Sequence, residues 1–293
     1  MRQFATFGPG GNSTEFAQSG NKSTKQAPLW VKNYGLDSYE YEGGRGIYGK
    51  EESFKEIGNE ARKNNILLSL HTPYYISLSS VEEQKRFASC DYILKSAKAL
   101  YAMTGDYYAG TMVVHAGSAS KIDRESATKY ACDTVCKALQ VLSDNGLYQK
   151  VLVGIETMGK INQLGTLDEV LEICSVDKTV VPVVDFGHMN ARALGQQFKT
   201  KDDYKKVFEE ISSKKGGEYA KNLHCHFSKI EYTTGGEKRH LTFEDTVFGP
   251  SFEPLCLAIC ELCATPNIIC ESDGTMDKDA LKLKKEYMRL LNK

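Results

Sequence analysis

Eight short apolar or β-branched runs, at about residues 3–8, 36–41, 66–70, 111–115, 151–156, 180–185, 222–227 and 267–271, alternate with longer stretches of helical amphipathic spacing. Strand followed by helix, repeated, builds right-handed parallel βαβ units, and eight such units close a parallel barrel. Runs such as VVPVVD and TMVVH are nearly continuously apolar, as strands covered on both faces are. The expected fold is α/β: a single (β/α)8 barrel occupying residues 1–293, with its chemistry at the C-terminal mouth of the strands. Length alone would also allow two domains, but no linker, low-complexity tract or short repeat interrupts the series.

Helix punctuation supports these boundaries. Thr166 precedes LDEVLEIC with Glu169 three residues on, a capping-box spacing, and Gly146 follows the helical stretch ending VLSDN. A formal net charge of -1 excludes a global bias toward polyanions, so nucleic-acid binding would need a local basic patch. The nine cysteines are odd in number and lack small-scaffold spacing, which argues for reduced thiols. Cys256, Cys260 and Cys263, like Cys132 and Cys136, fall at helical spacing and read as small buried hydrophobes on a helix face. Cys260 and Cys263 form a CxxC with no second pair. No apolar run approaches the roughly 20 residues that span a bilayer, and MRQFATFGPGG lacks the parts of a secretory signal. A cytoplasmic chain without membrane contact is expected.

All six histidines stand at or just beyond apolar run ends: His71, His115, His188, His224, His226 and His240. On a barrel, successive strand ends from the third to the eighth would carry His71, His115, Glu156, Asp185, His224 and Glu271 to one mouth. Imidazole is the commonest protein ligand for zinc, and carboxylates complete or bridge such sites, so this distribution reads as a metal pocket. His188 follows Asp185 by three residues. Strand alternation places His224 and His226 on one face and Cys225 on the other, and spacing does not rank the two histidines. His240 lies in a polar stretch, GGEKRHLTFED, beside Lys238 and Arg239. The GPGG at 8–11 fits a tight βα turn better than a phosphate cradle, because the remaining P-loop residues are missing. Tyr74 and Tyr75, with Tyr39 and Tyr41, could line a substrate groove.

The ordered set HTPY, VVHAG, IET, DFGH, HxxxSK, KRH and CES, from about residue 66 to 271, resembles the endonuclease IV family of metal-dependent abasic-site nucleases. The resemblance implies a (β/α)8 barrel holding zinc and cutting DNA 5′ to an abasic deoxyribose. It matches His71 and His115 to the first metal and Glu156 to the carboxylate bridging the first and second. Asp185, His224 and Glu271 match the second metal, and His188 and His240 the third. The family's third-site aspartate, two residues before the histidine, is Lys238 here, which would repel a cation or offer its own charge to a phosphate oxygen. Two or three zinc ions are thus implied, with His226, Lys238 and Arg239 behind the ligands. The TFGPGG segment and the loop YEYEGGRGIYGK depart from the family pattern, as do His226 and Phe227 before Ser-Lys.

Phosphodiester hydrolysis would then use Glu156 and Glu271 at the metals, Tyr74 against the sugar, and Lys229 toward the leaving oxygen. DNA with an abasic site would be the partner. The alternative is a sugar isomerase or epimerase similar to xylose isomerase, with one manganese or magnesium on Glu156, Asp185, His224 and Glu271 and a small sugar as substrate. His71 and His115, explained by a second metal, favour the nuclease. A non-catalytic zinc-storing or DNA-binding scaffold is the remaining alternative.

Overall fold

The structure is a computed structural model describing residues 3–291. Eight parallel strands form the barrel: β1 (Thr6–Pro9), β2 (Ser38–Glu42), β3 (Leu67–His71), β4 (Gly110–His115), β5 (Val151–Glu156), β6 (Val180–Asp185), β7 (His224–Phe227) and, after the hairpin of β8 (Lys229–Thr233) and β9 (Gly236–Leu241), β10 (Asn267–Cys270). The hydrogen-bonded order is β1-β10-β7-β6-β5-β4-β3-β2. The eight runs in the sequence correspond to these strands, with ends shifted by a few residues. The stretch expected as a polar loop around His240 is instead the antiparallel hairpin β8–β9.

The seam between β1 and β2 closes the barrel. It is held by one parallel bridge, Gly10 to Glu40, with Asp37 N–H donating to Phe7 O at 2.8 Å and Gly11 N–H to Glu40 O at 3.0 Å. Gly8 permits this approach, since a Cβ there would sit 1.7 Å from the backbone oxygen of Ser38. The GPGG run is accordingly a strand end and turn.

Helices cover the outside for the reasons their sequences suggest. In Glu51–Asn64, Phe54, Ile57 and Ala61 are buried at i, i+3 and i+7, acids occupy the first turn and Arg62 and Lys63 the last, and Asn65 caps it in the left-handed region. Thr166 and Glu169 form the expected capping box. The cysteine expectation fails in part. The helix Phe252–Glu261 ends before Cys263, which is exposed at φ 50°, and Cys136 is also exposed. Among the described residues no helix is long and apolar enough to cross a membrane.

Replacing Gly8 by alanine forces a Cβ into backbone rather than into a movable side chain. A loss of about 1–3 kcal/mol, the usual cost of overpacking, is expected in urea unfolding, and an unchanged midpoint would show that the seam does not need close approach.

Candidate metal centre

Strand ends bring His71, His115, Glu156, Asp185, His226 and Glu271 to one mouth, where they line or underlie a cavity of about 680 Å³. Glu156, fully buried, is the shared member. Its Oε2 lies 3.5 Å from His71 Nε2 and 3.1 Å from His115 Nε2. Its Oε1 lies 2.9 Å from His226 Nδ1 and 3.6 Å from His188 Nδ1. His226 Nδ1 is also 3.3 Å from Glu271 Oε1.

Three groups at this mouth have ligand atoms within 4.8 Å of one another: His71, His115 and Glu156; Glu156, Asp185, His226 and Glu271; and His188, Glu237 and His240. The second differs from expectation, because His226 stands where His224 was expected. Both histidines point into the barrel, but two residues of strand are about 6.6 Å, so only the one nearer the C-terminal end of β7 reaches Asp185, its partner in register. His224 lies one layer deeper, bonded through Nε2 to Glu40 at 2.9 Å.

The third group corrects the reading of Lys238. Pairing along the hairpin runs His240 with Ile230 and Arg239 with Glu231, then jumps to Glu237 with Tyr232. Lys238 is the extra residue of a β-bulge, and a bulge reverses which face the following residues occupy. Glu237 therefore joins His240 and lies 3.4 Å from His188 Nε2. Lys238 turns out to Glu231 at 2.6 Å, and Arg239 pairs with the same carboxylate at 2.7 Å while also lining the mouth. Gly236, at φ 87°, docks the hairpin on the loop after β5, where a Cβ would meet Gly159 O at 2.2 Å. Lys229 is likewise turned away: its ammonium binds the backbone oxygens of Phe243 and Asp245 and pins that loop. Tyr74 is half exposed at the rim, its ring 5.6 Å from His71 and 5.4 Å from His115.

The donor set fits cations. His71 Nδ1 donates to Thr72 O at 3.0 Å and His188 Nδ1 to Thr157 O at 3.0 Å. In a neutral ring this leaves each Nε2 lone pair facing a carboxylate oxygen, an arrangement that needs a proton or a cation between them. Ser228 Oγ holds His240 Nδ1 at 2.8 Å. Asp185 caps the next helix with Oδ1, accepting from His188 N at 2.7 Å. Its Oδ2, like Glu156 Oε2, is buried with no hydrogen bond. Buried acceptors in that state are costly unless a ligand satisfies them.

Electrostatics agree. Burial pulls His71 down, but Glu156, Glu42 and Glu271 outweigh it and hold the ring at about 10. Burial likewise acts against His188, and Asp185, Glu237 and Glu156 raise it to about 9. Glu271, despite burial, is drawn down to about 2 by His226, and Asp185 is pushed up by burial. The carboxylates thus favour positive charge on His71 and His188, which a proton or a cation supplies.

Glu40, Glu42 and Glu237 stand at the site but outside the sequence motifs. In SYEYE the period-two alternation places Ser38, Glu40 and Glu42 on one face, a signal for the first two carboxylates; a bulge has no such signal.

The sequence signature of the xylose isomerase-like TIM barrel matches residues 28–286. An uncharacterized protein of Methanocaldococcus jannaschii is 31% identical over 89% of this chain and 90% of its own length. A probable endonuclease 4 of Malacoplasma penetrans is 29% identical over 58% of this chain, which spans 56% of that relative's length. Among solved structures, a D-tagatose 3-epimerase-like protein superposes with a TM-score of 0.66 at 18% identity, over 88% of this chain and 90% of its own, a likeness of fold. The barrel, its strand-end site and these matches together make the chain a member of the xylose isomerase-like TIM-barrel family.

Proposed function

We propose that this chain is a metal-dependent phosphodiester hydrolase that cuts DNA at abasic sites, with zinc held in three neighbouring groups. The observation that carries this reading is that His71 and His115 on one side, and His188, Glu237 and His240 on the other, flank the Glu156–Asp185–His226–Glu271 set. The sequence likeness to the probable endonuclease 4 supports it. Bound divalent ions would supply Lewis-acid charge and activated water for in-line displacement at phosphorus. Glu156 belongs to two groups through its two oxygens. Tyr74 presents a ring face at the rim against which a splayed sugar can pack, and Lys160 and Arg239 put positive charge on the mouth where phosphate would pass. Thr72, Thr157 and Ser228 set the histidine ring orientations.

A one-metal sugar isomerase or epimerase is the second reading. It is favoured by the four-membered set alone, which offers two carboxylates, Glu156 and Glu271, as acid and base across one small substrate. It leaves the flanking histidines without a task.

Chelation should abolish nicking of an abasic duplex; persistence of nicking in excess chelator rejects the hydrolase. Two or three zinc ions per chain are expected, whereas a single manganese or magnesium would mark the isomerase. The bulge makes a sharper statement. Glu237→Ala should remove one ion per chain and Lys238→Ala none, and the opposite pattern would return Lys238 to the site.

The metal-free chain should also show a defined pH profile. His71 and His188, raised to about 10 and about 9 from 6.5, contribute stability that is complete below about pH 6.5 and is lost as pH rises through those values. Glu271, lowered to about 2 from 4.5, contributes above about pH 4.5 and loses that contribution as pH falls. Maximum stability is expected between about pH 4.5 and 6.5, Asp185 acting in the opposite sense on the acid side. Zinc replaces these protons, so saturating zinc should flatten the alkaline decline. Urea midpoints with chelator and with zinc read both curves; a metal-free midpoint that climbs from pH 6.5 to about 9 contradicts the assignment.

A further inference from the structure

Beneath the mouth lies a second polar layer that the proposed chemistry does not use: Glu40 on β2, Ser69 on β3, His224 on β7 and Asn267 on β10, all buried. We propose that Glu40 is a positioning residue whose carboxylate holds the Nε2 edge of His226, so that Nδ1 faces the Glu156–Asp185–Glu271 set, with His224 serving Glu40 and no metal. This rests on the metal-centre reading above.

The geometry carries it from both ends. His226 Nδ1 faces Glu156 and Glu271 at 2.9 and 3.3 Å, while Nε2 stands 2.9 Å from Glu40 Oε1. That last approach lies off the N–H direction, leaving both atoms without a completed hydrogen bond. A neutral imidazole has one N–H. Both ring nitrogens face an anion at 2.9 Å, Nδ1 toward Glu156 within hydrogen-bond geometry and Nε2 toward Glu40. Once a cation takes the place of a proton at Nδ1, the one remaining N–H belongs on Nε2 against Glu40 and the Nδ1 lone pair is turned to the mouth. A carboxylate behind a metal-binding imidazole fixes its tautomer and raises its basicity.

Glu40 is itself held. Its Oε2 accepts from Ser69 Oγ at 2.7 Å and from His224 Nε2 at 2.9 Å. The proton on His224 Nε2 is set from the neighbouring strands β1 and β10. Thr6 Oγ donates to Asn267 Oδ1 at 2.8 Å, which turns Asn267 Nδ2 to donate to His224 Nδ1 at 3.3 Å. Both ring nitrogens of His224 are thereby engaged, which accounts for its absence from the mouth. Glu40, His224 and His226 also have ligand atoms within 4.8 Å of one another. A cation among them would have to displace the proton that Asn267 keeps on His224 Nε2 and take the second nitrogen of His226, so the hydrogen bonds of His224 favour the positioning role.

The test uses the full chain, with zinc as the probe. Glu40→Gln keeps shape and removes charge. Zinc affinity by competition with a chelator should fall about 10–100-fold in one class of site, the usual effect of losing such a partner, and the remaining classes should hold. In a His226→Ala background, Glu40→Gln should add nothing. Long-range proton–nitrogen spectra of the zinc-loaded wild type should show His226 protonated at Nε2. Glu40→Gln affinity within twofold of wild type, or additive losses in the double variant, overturns the proposal. So does a fourth zinc that Glu40→Gln loses, which makes Glu40 a ligand. If Glu40→Gln fails to fold, the wild-type spectrum decides, and a His226 proton on Nδ1 overturns the proposal. A wild type that takes up no divalent ion removes the metal reading and this one together, whereas a loaded wild type with an unaffected Glu40→Gln removes the positioning role alone.

Discussion

Glu156 is a carboxylate with no water around it, and the site is organised by how that charge is compensated. Its two oxygens face His71 and His115 on one side and His226 and His188 on the other. A bare buried carboxylate costs several kcal/mol even after relaxation, so strands β3, β4 and β7 and the helix after β6 are each committed to bringing an imidazole to it. Protons can meet that demand, and the surrounding carboxylates raise His71 and His188 toward holding them. Cations would meet it with more charge in less space and would also engage Glu156 Oε2 and Asp185 Oδ2, which make no hydrogen bond.

Barrel geometry then sorts residues by depth. Inward-facing positions recur every second residue, so each strand contributes one side chain to the mouth and the next to a layer about 6.6 Å below. On β7 that rule separates His226 from His224; on β2 it separates Glu42, at the mouth with Oε1 accepting from Gly44 N at 2.7 Å, from Glu40. The lower layer is polar, and its groups spend their hydrogen bonds on one another across the barrel. Such a layer gives up hydrophobic packing at the centre of the fold and gains fixed orientation for what stands above it.

What was legible in the sequence follows from which rules are local. Strand runs, the Thr166 capping box and the convergence of strand-end ligands depend on period and position within a few residues, and all were readable. The choice between His224 and His226 depends on how far each strand climbs before it ends, which register against β6 decides and composition does not. The family resemblance places Lys238 at the third-site position because it stands two residues before His240. One extra residue paired against Glu231 and Tyr232 undoes the count. Lys229 looked like a mouth cation because it follows a strand-end motif, yet β8 turns its ammonium into the 243–245 loop.

The charge of the mouth bears on what can enter it. Glu42, Glu156, Glu237, Glu271 and Asp273 line the cavity, and the permanent cations, Lys160 and Arg239, lie with Arg239 already paired to Glu231. A phosphodiester approaching these carboxylates in the metal-free state finds their charge offset only by the imidazole rings they hold positive and by Lys160, in a partly desolvated cleft where screening is weak. Divalent ions would make that field positive. On the proposed reading, metal and substrate therefore bind cooperatively through charge alone, and linkage requires the converse as well: an anionic substrate strengthens retention of the ions. A neutral sugar would feel little of this coupling. The acidity of the mouth is thus part of the difference between the two candidate chemistries, since it makes a phosphodiester strongly dependent on bound cations and leaves a sugar nearly indifferent to how many are present.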